Sequence, residues 1–209
     1  MIIDQIVGRG CWKSSFQLSV FSGNLKELEM TRLLLFAFCV LFSINDSIQP
    51  NMKISAKIRC SSGSRLNELF PASPSCSCEI CRGYCRRPGW WTVPEAGLAI
   101  RKGLSHRMML EISPEVTFGV LSPAFRGCEM HLAANAFKNA GCTFFHENGC
   151  ELYQSGMMPL ECRFCHHDRI GSGQPCHTAI ENDWNSIAGR KLVVEWSNLT
   201  RLWERLALQ

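Results

Sequence analysis

The sequence contains no run of three or more consecutive basic residues. Its 22 Lys and Arg against 18 Asp and Glu leave a net charge of +4, spread along 209 residues. Nucleic-acid partners are held largely by clustered positive charge, so this charge pattern gives such a partner no strong support. Apolar length is also short. The run Leu33–Ile44 (LLLFAFCVLFSI) spans 12 residues, whereas a bilayer core needs about 20. No full-length transmembrane helix is therefore predicted, and the expected location is cytoplasmic. A glycine-rich cofactor loop is missing as well, so the sequence lends no such support to a methyl-transfer enzyme.

Cysteine, by contrast, is abundant. Ten of the 13 cysteines fall between Cys76 and Cys176. They are separated by turn residues rather than by apolar repeats, a pattern that suggests ligands at loop corners. In an oxidising compartment such thiols pair, and in a reducing one they more often bind metal or do redox chemistry. The even count leaves disulfides open, and the only clue to compartment lies at the N-terminus. There the run 33–44 has the length of a signal-peptide h-region, but no small-x-small cleavage site follows it. Residues 1–51 are thus expected to be an extension, either non-native or a membrane or export segment, with Met30 and Met52 as alternative starts. Cys11, Cys39 and Cys60 have no nearby cysteine and are expected to be free thiols.

Residues 52–77 read as an irregular lead-in, rich in Ser, Pro and Gly over 61–77. The cysteine-rich domain is placed at 78–209. It opens with Cys78-Glu-Ile-Cys81 and continues through Gly83 to Cys85. Two residues between cysteines let a tight turn bring both sulfurs about 2.3 Å from one ion. A third cysteine four residues on favours metal over redox chemistry, although C-x-x-C alone is also a redox motif. After Trp90-Trp91, expected in the core, Pro94 and Glu95 suit a helix start. Ala96, Ile100, Leu104 and Met108 then form one helical stripe.

Alternation at Val116, Phe118 and Val120 predicts a strand over 116–121. The Ala-rich segment 127–140 predicts a helix. A short hairpin is expected around Asn148-Gly149, with arms 143–145 and 151–153, bringing Cys142 near Cys150. Thr178 and Glu181 form a capping-box pattern. Ile180, Trp184 and Ile187 mark one helical face, with Gly189 as its stop. Leu192, Trp196, Leu199, Trp203 and Leu206 predict a C-terminal amphipathic helix. With so many thiols present, His146, His166, His167 and His177 are read as surface residues. The fold class is accordingly α+β: a small, irregular, metal-stapled domain with short strands and several helices.

At these residues the chain resembles the zinc- or iron-chelating cysteine-rich family called YkgJ-like, which is itself similar to flagellin lysine N-methylases. The first family signature is C-x-x-C-x-G-x-C-C followed by Pro-Gly. Cys78, Cys81, Gly83 and Cys85 match it, with Pro88-Gly89 beyond. The second signature is matched in order by Cys142, Phe144, Gly149, Cys150, Leu152, Tyr153, Pro159, Cys162 and Arg163. Cys176 resembles the last family cysteine, so the likeness covers about residues 78–177. Arg86 stands where the family has a fourth N-terminal cysteine, Met158 replaces an Arg, and the Tyr153-to-Cys162 spacing is two residues longer than the family's.

The resemblance implies a metal-binding protein, with candidate ligands at Cys78, Cys81, Cys85, Cys142, Cys150, Cys162, Cys165 and Cys176. Cys76, Cys128 or Cys165 would replace the ligand missing at Arg86, with His166 or His167 next in line. Thiolate-rich sites select zinc or iron–sulfur clusters. Zinc is the preferred ion, iron the alternative, and an iron–sulfur cluster is compatible with the ligand type. The bacterial ferredoxin run C-x2-C-x2-C-x3-C is incomplete here, and the order C-x2-C-x3-C is the reverse of the radical S-adenosylmethionine pattern. Rival readings are a protein-lysine methyltransferase-like enzyme, an exported disulfide-stapled domain and a thiol redox protein. Nothing in the sequence identifies a protein partner.

Overall fold

A computed structural model describes residues 62–147 and 149–208. The extension 1–51, its apolar run, and Cys11, Cys39 and Cys60 lie outside the described residues. Among those described, eight α-helices and two small antiparallel sheets form the α+β domain expected from the sequence. In chain order the first elements are α1 (Ser62–Leu69), α2 (Glu79–Cys85), α3 (Val93–Arg101), β1 (Met108–Ile112) and β2 (Gly119–Pro123). Then come β3 (Phe145–His146), β4 (Gly149–Cys150), α4 (Glu151–Gln154) and α5 (Leu160–Phe164). The chain closes with α6 (Gly173–Trp184), α7 (Ile187–Leu199) and α8 (Leu202–Ala207). No helix among the described residues is long and apolar enough to cross a membrane.

The core forms where α6 and α7 pack on β2 and α3 packs on α7. Trp91, Trp184, Trp196 and Phe144 are wholly buried there with Leu110, Leu121 and Ile180. A buried indole needs a partner for its N–H, and each of these three has one. Trp91 donates to the Met157 carbonyl at 2.7 Å, Trp184 to the Trp91 carbonyl at 2.7 Å and Trp196 to the Ser105 carbonyl at 3.1 Å. These bonds fix the long loops against the helices. The Trp pair 90–91 is therefore core, as its sequence context predicts.

Helix α3 begins as read. Thr92 and Glu95 form a reciprocal capping box, with Pro94 in the first turn. It ends sooner than the stripe predicts, because Gly103 turns left-handed at φ 81° and stops it. Leu104 enters a short 3₁₀ turn and Met108 belongs to β1, paired with Pro123.

The strand expected over 116–121 is shifted: Val116 sits at φ 57° in the β1–β2 turn, and pairing begins at Gly119. The Ala-rich segment is not a helix over 127–140. Met130, His131 and Ala133 instead exchange backbone hydrogen bonds with Met108 and Leu110, covering the free edge of β1. Only Asn135–Ala140 coils, as a 3₁₀ turn. Covering an open sheet edge satisfies backbone groups that helix propensity alone does not address.

The hairpin forms around Gly149, but its strands are Phe145–His146 and Gly149–Cys150, and Glu151–Tyr153 is helical. Thr178 and Glu181 lie inside α6 rather than at its start. Gly189 does not stop a helix either. Ser186 caps α7, and a Cβ at Gly189 would come within 2.3 Å of the Trp184 carbonyl oxygen, so glycine permits that approach. The C-terminal stripe is split into α7 and α8 by Arg201 at φ 53°.

Residues 62–77 are more ordered than their composition predicts. Beyond α1, Ser73 bonds the carbonyls of Arg163 and Phe164 at 2.8 Å each, and Arg169 holds the Pro71 carbonyl at 2.7 Å. This strap carries Cys76 to the site.

Candidate metal centre

No disulfide joins the ten described cysteines to one another, and most gather around one cleft. Its volume is about 450 Å³, and Cys76, Cys81, Cys85, Cys150, Cys162 and Cys165 line it. Two groups of side chains can be distinguished there.

The first group is tight. The sulfurs of Cys76, Cys78 and Cys81 and one nitrogen of His167 lie within 4.8 Å of one another. Imidazole Nδ1 of His167 is 3.5 Å from Cys76 Sγ, 3.6 Å from Cys78 Sγ and 3.4 Å from Cys81 Sγ. One ring nitrogen carries either one lone pair or one N–H, so it cannot hydrogen-bond three thiols at once. A cation is a species that all four atoms can face together. A tetrahedral ion bonded at roughly 2.3 Å to sulfur and 2.0–2.1 Å to nitrogen places those atoms about 3.5 Å apart. The observed separations fit that requirement.

Local sequence explains how the four ligand atoms arrive. Cys78 is the N-cap of α2 and Cys81 lies one turn on, so both sulfurs face the same side. The Cys81 N–H holds the Cys78 thiol down, to about 7. Burial pushes the Cys81 thiol up, to about 12. Cys76 arrives on the strap, and the Cys78 N–H points to its sulfur at 3.5 Å. His167 enters from the turn after α5, where His166 and His167 stack at 4.0 Å. Reading the histidines as surface groups was wrong for three of them. His166 and His177 are buried, and His167 stands in the thiol group. His146 is exposed as expected.

The second group comprises Cys85, Cys142, Cys150 and Cys162, and it is wider and deeper. No three of its sulfurs lie within 4.8 Å of one another. Burial pushes Cys162 well up, and the neighbouring Cys142, Cys85 and Cys150 raise it further. Burial likewise takes Cys85 to about 11 and Cys142 to about 12, with Cys150 adding to both, and burial raises Cys150 itself. The hairpin carries Cys150 as predicted, while the Cys142 N–H bonds the Arg86 carbonyl at 2.8 Å and so ties this group to the end of α2.

Pro88-Gly89 shows why a signature would contain glycine. The Gly89 N–H donates to Cys162 Sγ at 3.2 Å, and a Cβ at this position would lie 2.6 Å from that sulfur. Arg163 acts as a strut beside it: its guanidinium meets Glu95 at 2.6 Å and Asn67 at 2.7 Å, and it also holds the Met158 carbonyl. Glu95 thereby links the start of α3 to α5. The remaining predicted ligands fall differently. Cys165 lines the cleft, and Cys176 is wholly buried in the main apolar cluster. Cys128 is buried apart, with Met109 and Ala124.

Behind Cys162 lies a polar network that the sequence did not announce. Glu161 accepts from the Trp90 N–H at 2.8 Å and meets His177 Nδ1 at 2.8 Å, while Glu111 accepts from Trp90 Nε1 at 2.9 Å and Ser122 Oγ at 2.7 Å. Burial raises Glu111, against the pull of Ser122 and Trp90. Burial works against the charge on His177, but the bond to Glu161 and its charge overcome it and raise that group. A buried carboxylate paired in this way pins residues 89–90 over the Cys162 sulfur.

Known protein families, curated proteins and solved structures show no match to this chain.

Proposed function

We propose that this domain chelates zinc or iron, and that it belongs with the YkgJ-like cysteine-rich proteins its signatures resemble. The observation that carries the reading is three thiol sulfurs facing one imidazole nitrogen at 3.4–3.6 Å. Closed four-ligand sets of sulfur and nitrogen are the usual form of structural zinc sites, which favours zinc in the tight group. Cys76 and His167 complete that set where Arg86 breaks the family pattern, so the missing cysteine does not remove the site. Cys85, Cys142, Cys150 and Cys162 form a second, all-sulfur group suited to zinc or an iron–sulfur cluster.

In this reading the exposed Cys78 thiol loses its proton first and meets an incoming ion at the surface. Cys81, buried and harder to ionise, joins once positive charge is present. Coordinated thiols are deprotonated.

The full chain, purified anaerobically without chelator, should contain stoichiometric zinc or iron by elemental analysis. A broad band near 400 nm would assign a cluster to the all-sulfur group. Cys78→Ser and His167→Ala should each lose one metal equivalent. Metal-free protein, or unchanged content in both variants, would overturn the proposal.

A further inference from the structure

On the proposed metal reading of the tight group, we propose that Asp168 is its positioning residue: the Asp168 carboxylate accepts the Nε2–H of His167 and leaves the Nδ1 lone pair facing the three sulfurs. Neutral imidazole carries one donor and one acceptor nitrogen, and a hydrogen bond at one nitrogen decides which is which. His167 Nε2 lies 2.9 Å from Asp168 Oδ1, while Nδ1 of the same ring is the atom 3.4–3.6 Å from the sulfurs. A proton held at Nε2 forces the lone pair onto Nδ1. The ring is also clamped from its face by His166, stacked at 4.0 Å.

His166, His167 and Asp168 lie close enough together to suggest a metal site of their own. The hydrogen bonding argues against that use. His166 Nδ1 already accepts the Asp168 backbone N–H at 3.3 Å, so its lone pair is engaged. Residues of the Asp168 kind orient the imidazole and raise its basicity, and their loss typically costs 10–100-fold in metal affinity. The Asp168 side chain is 71% exposed and so is not part of the packed core. Changing it tests the centre without emptying the interior.

The test uses the full chain loaded with cobalt(II), whose visible bands report tetrahedral thiolate coordination. The signal of the tight group is the wild-type spectrum minus that of Cys78→Ser. Asp168→Ala should keep the band pattern of that difference signal while weakening cobalt affinity about 10–100-fold in competition with a chelator. Asp168→Asn, which keeps an acceptor oxygen but not the charge, should recover part of the loss. His167→Ala, which loses the metal equivalent, should abolish that difference signal. Wild-type affinity in Asp168→Ala would overturn the positioning role. Loss of a whole cobalt equivalent with the difference signal untouched would overturn it too, making Asp168 a ligand of a separate ion. If wild type and Cys78→Ser give the same spectrum, the metal reading of the tight group falls and takes this inference with it.

Discussion

The two cysteine groups share a cleft but solve opposite problems. Cys76, Cys78 and His167 come from a strap, a helix cap and a turn to meet the buried Cys81 in the first turn of α2, with their ligand atoms already close together. Cys85, Cys142, Cys150 and Cys162 come from four separate places in the chain, and burial keeps their thiols protonated. The first group is assembled by short-range sequence plus one contact from residue 167. The second depends on packing of α2, the hairpin and α5. An ion in the first group would hold a rim in place, while one in the second would fasten the interior. Equal numbers of ligands therefore need not mean equal weight in the fold.

The largest difference should appear on removing one ligand from each group. Cys162→Ser should destabilise the full chain by about 4 kcal/mol or more, the range reached when a bound metal is lost from a fold, as read by urea unfolding. Cys78→Ser should cost clearly less stability than Cys162→Ser while still losing its metal equivalent, because Cys78 is exposed at the rim of the cleft. Equal losses in the two variants would break the contrast. A smaller effect should follow from Gly89→Ala. A methyl group 2.6 Å from Cys162 Sγ overpacks the site, at a cost of typically 1–3 kcal/mol. Its difference spectrum for the tight group should stay unchanged, and any disturbance there would show that the groups are coupled.

The smallest test involves no mutation. In metal-free protein, alkylation of Cys78 followed by mass spectrometry should rise with pH around a midpoint near 7, and that of Cys85 near 11. Because Cys78 is held below the ordinary thiol value of 9.0, its charge favours the folded form above that ordinary value. The contribution fades as pH falls through about 7. A common midpoint for both thiols would erase the electrostatic distinction between the groups.

The first turn of α3 was legible because its signals are local: Pro94 and Glu95 act within one turn, and the Thr92 capping box that completes them was seen only in the structure. The hairpin at Gly149 was legible in place but not in extent, because the chain becomes helical as soon as it leaves Cys150. The Ala-rich segment misled because β1 presented an open edge that no local pattern reveals. His167 was misjudged for a similar reason. A histidine after C-x-x-C reads as exposed until α2 and the Cys76 strap are known to lie against it.

By itself, the sequence determined which chemistry is available: thiols at knuckle spacing with a glycine beside them. Ligand type and turn propensity are properties of neighbours in the chain, so they survive without a fold. Only the tertiary structure decided how those ligands are divided. Bringing Cys76 and His167 to the α2 knuckle joins positions 91 residues apart, and placing Cys142 and Cys162 around Cys85 requires a packed core. Distance across a folded interior is set by the burial of Trp91, Trp184 and Phe144, and no spacing along the chain encodes it.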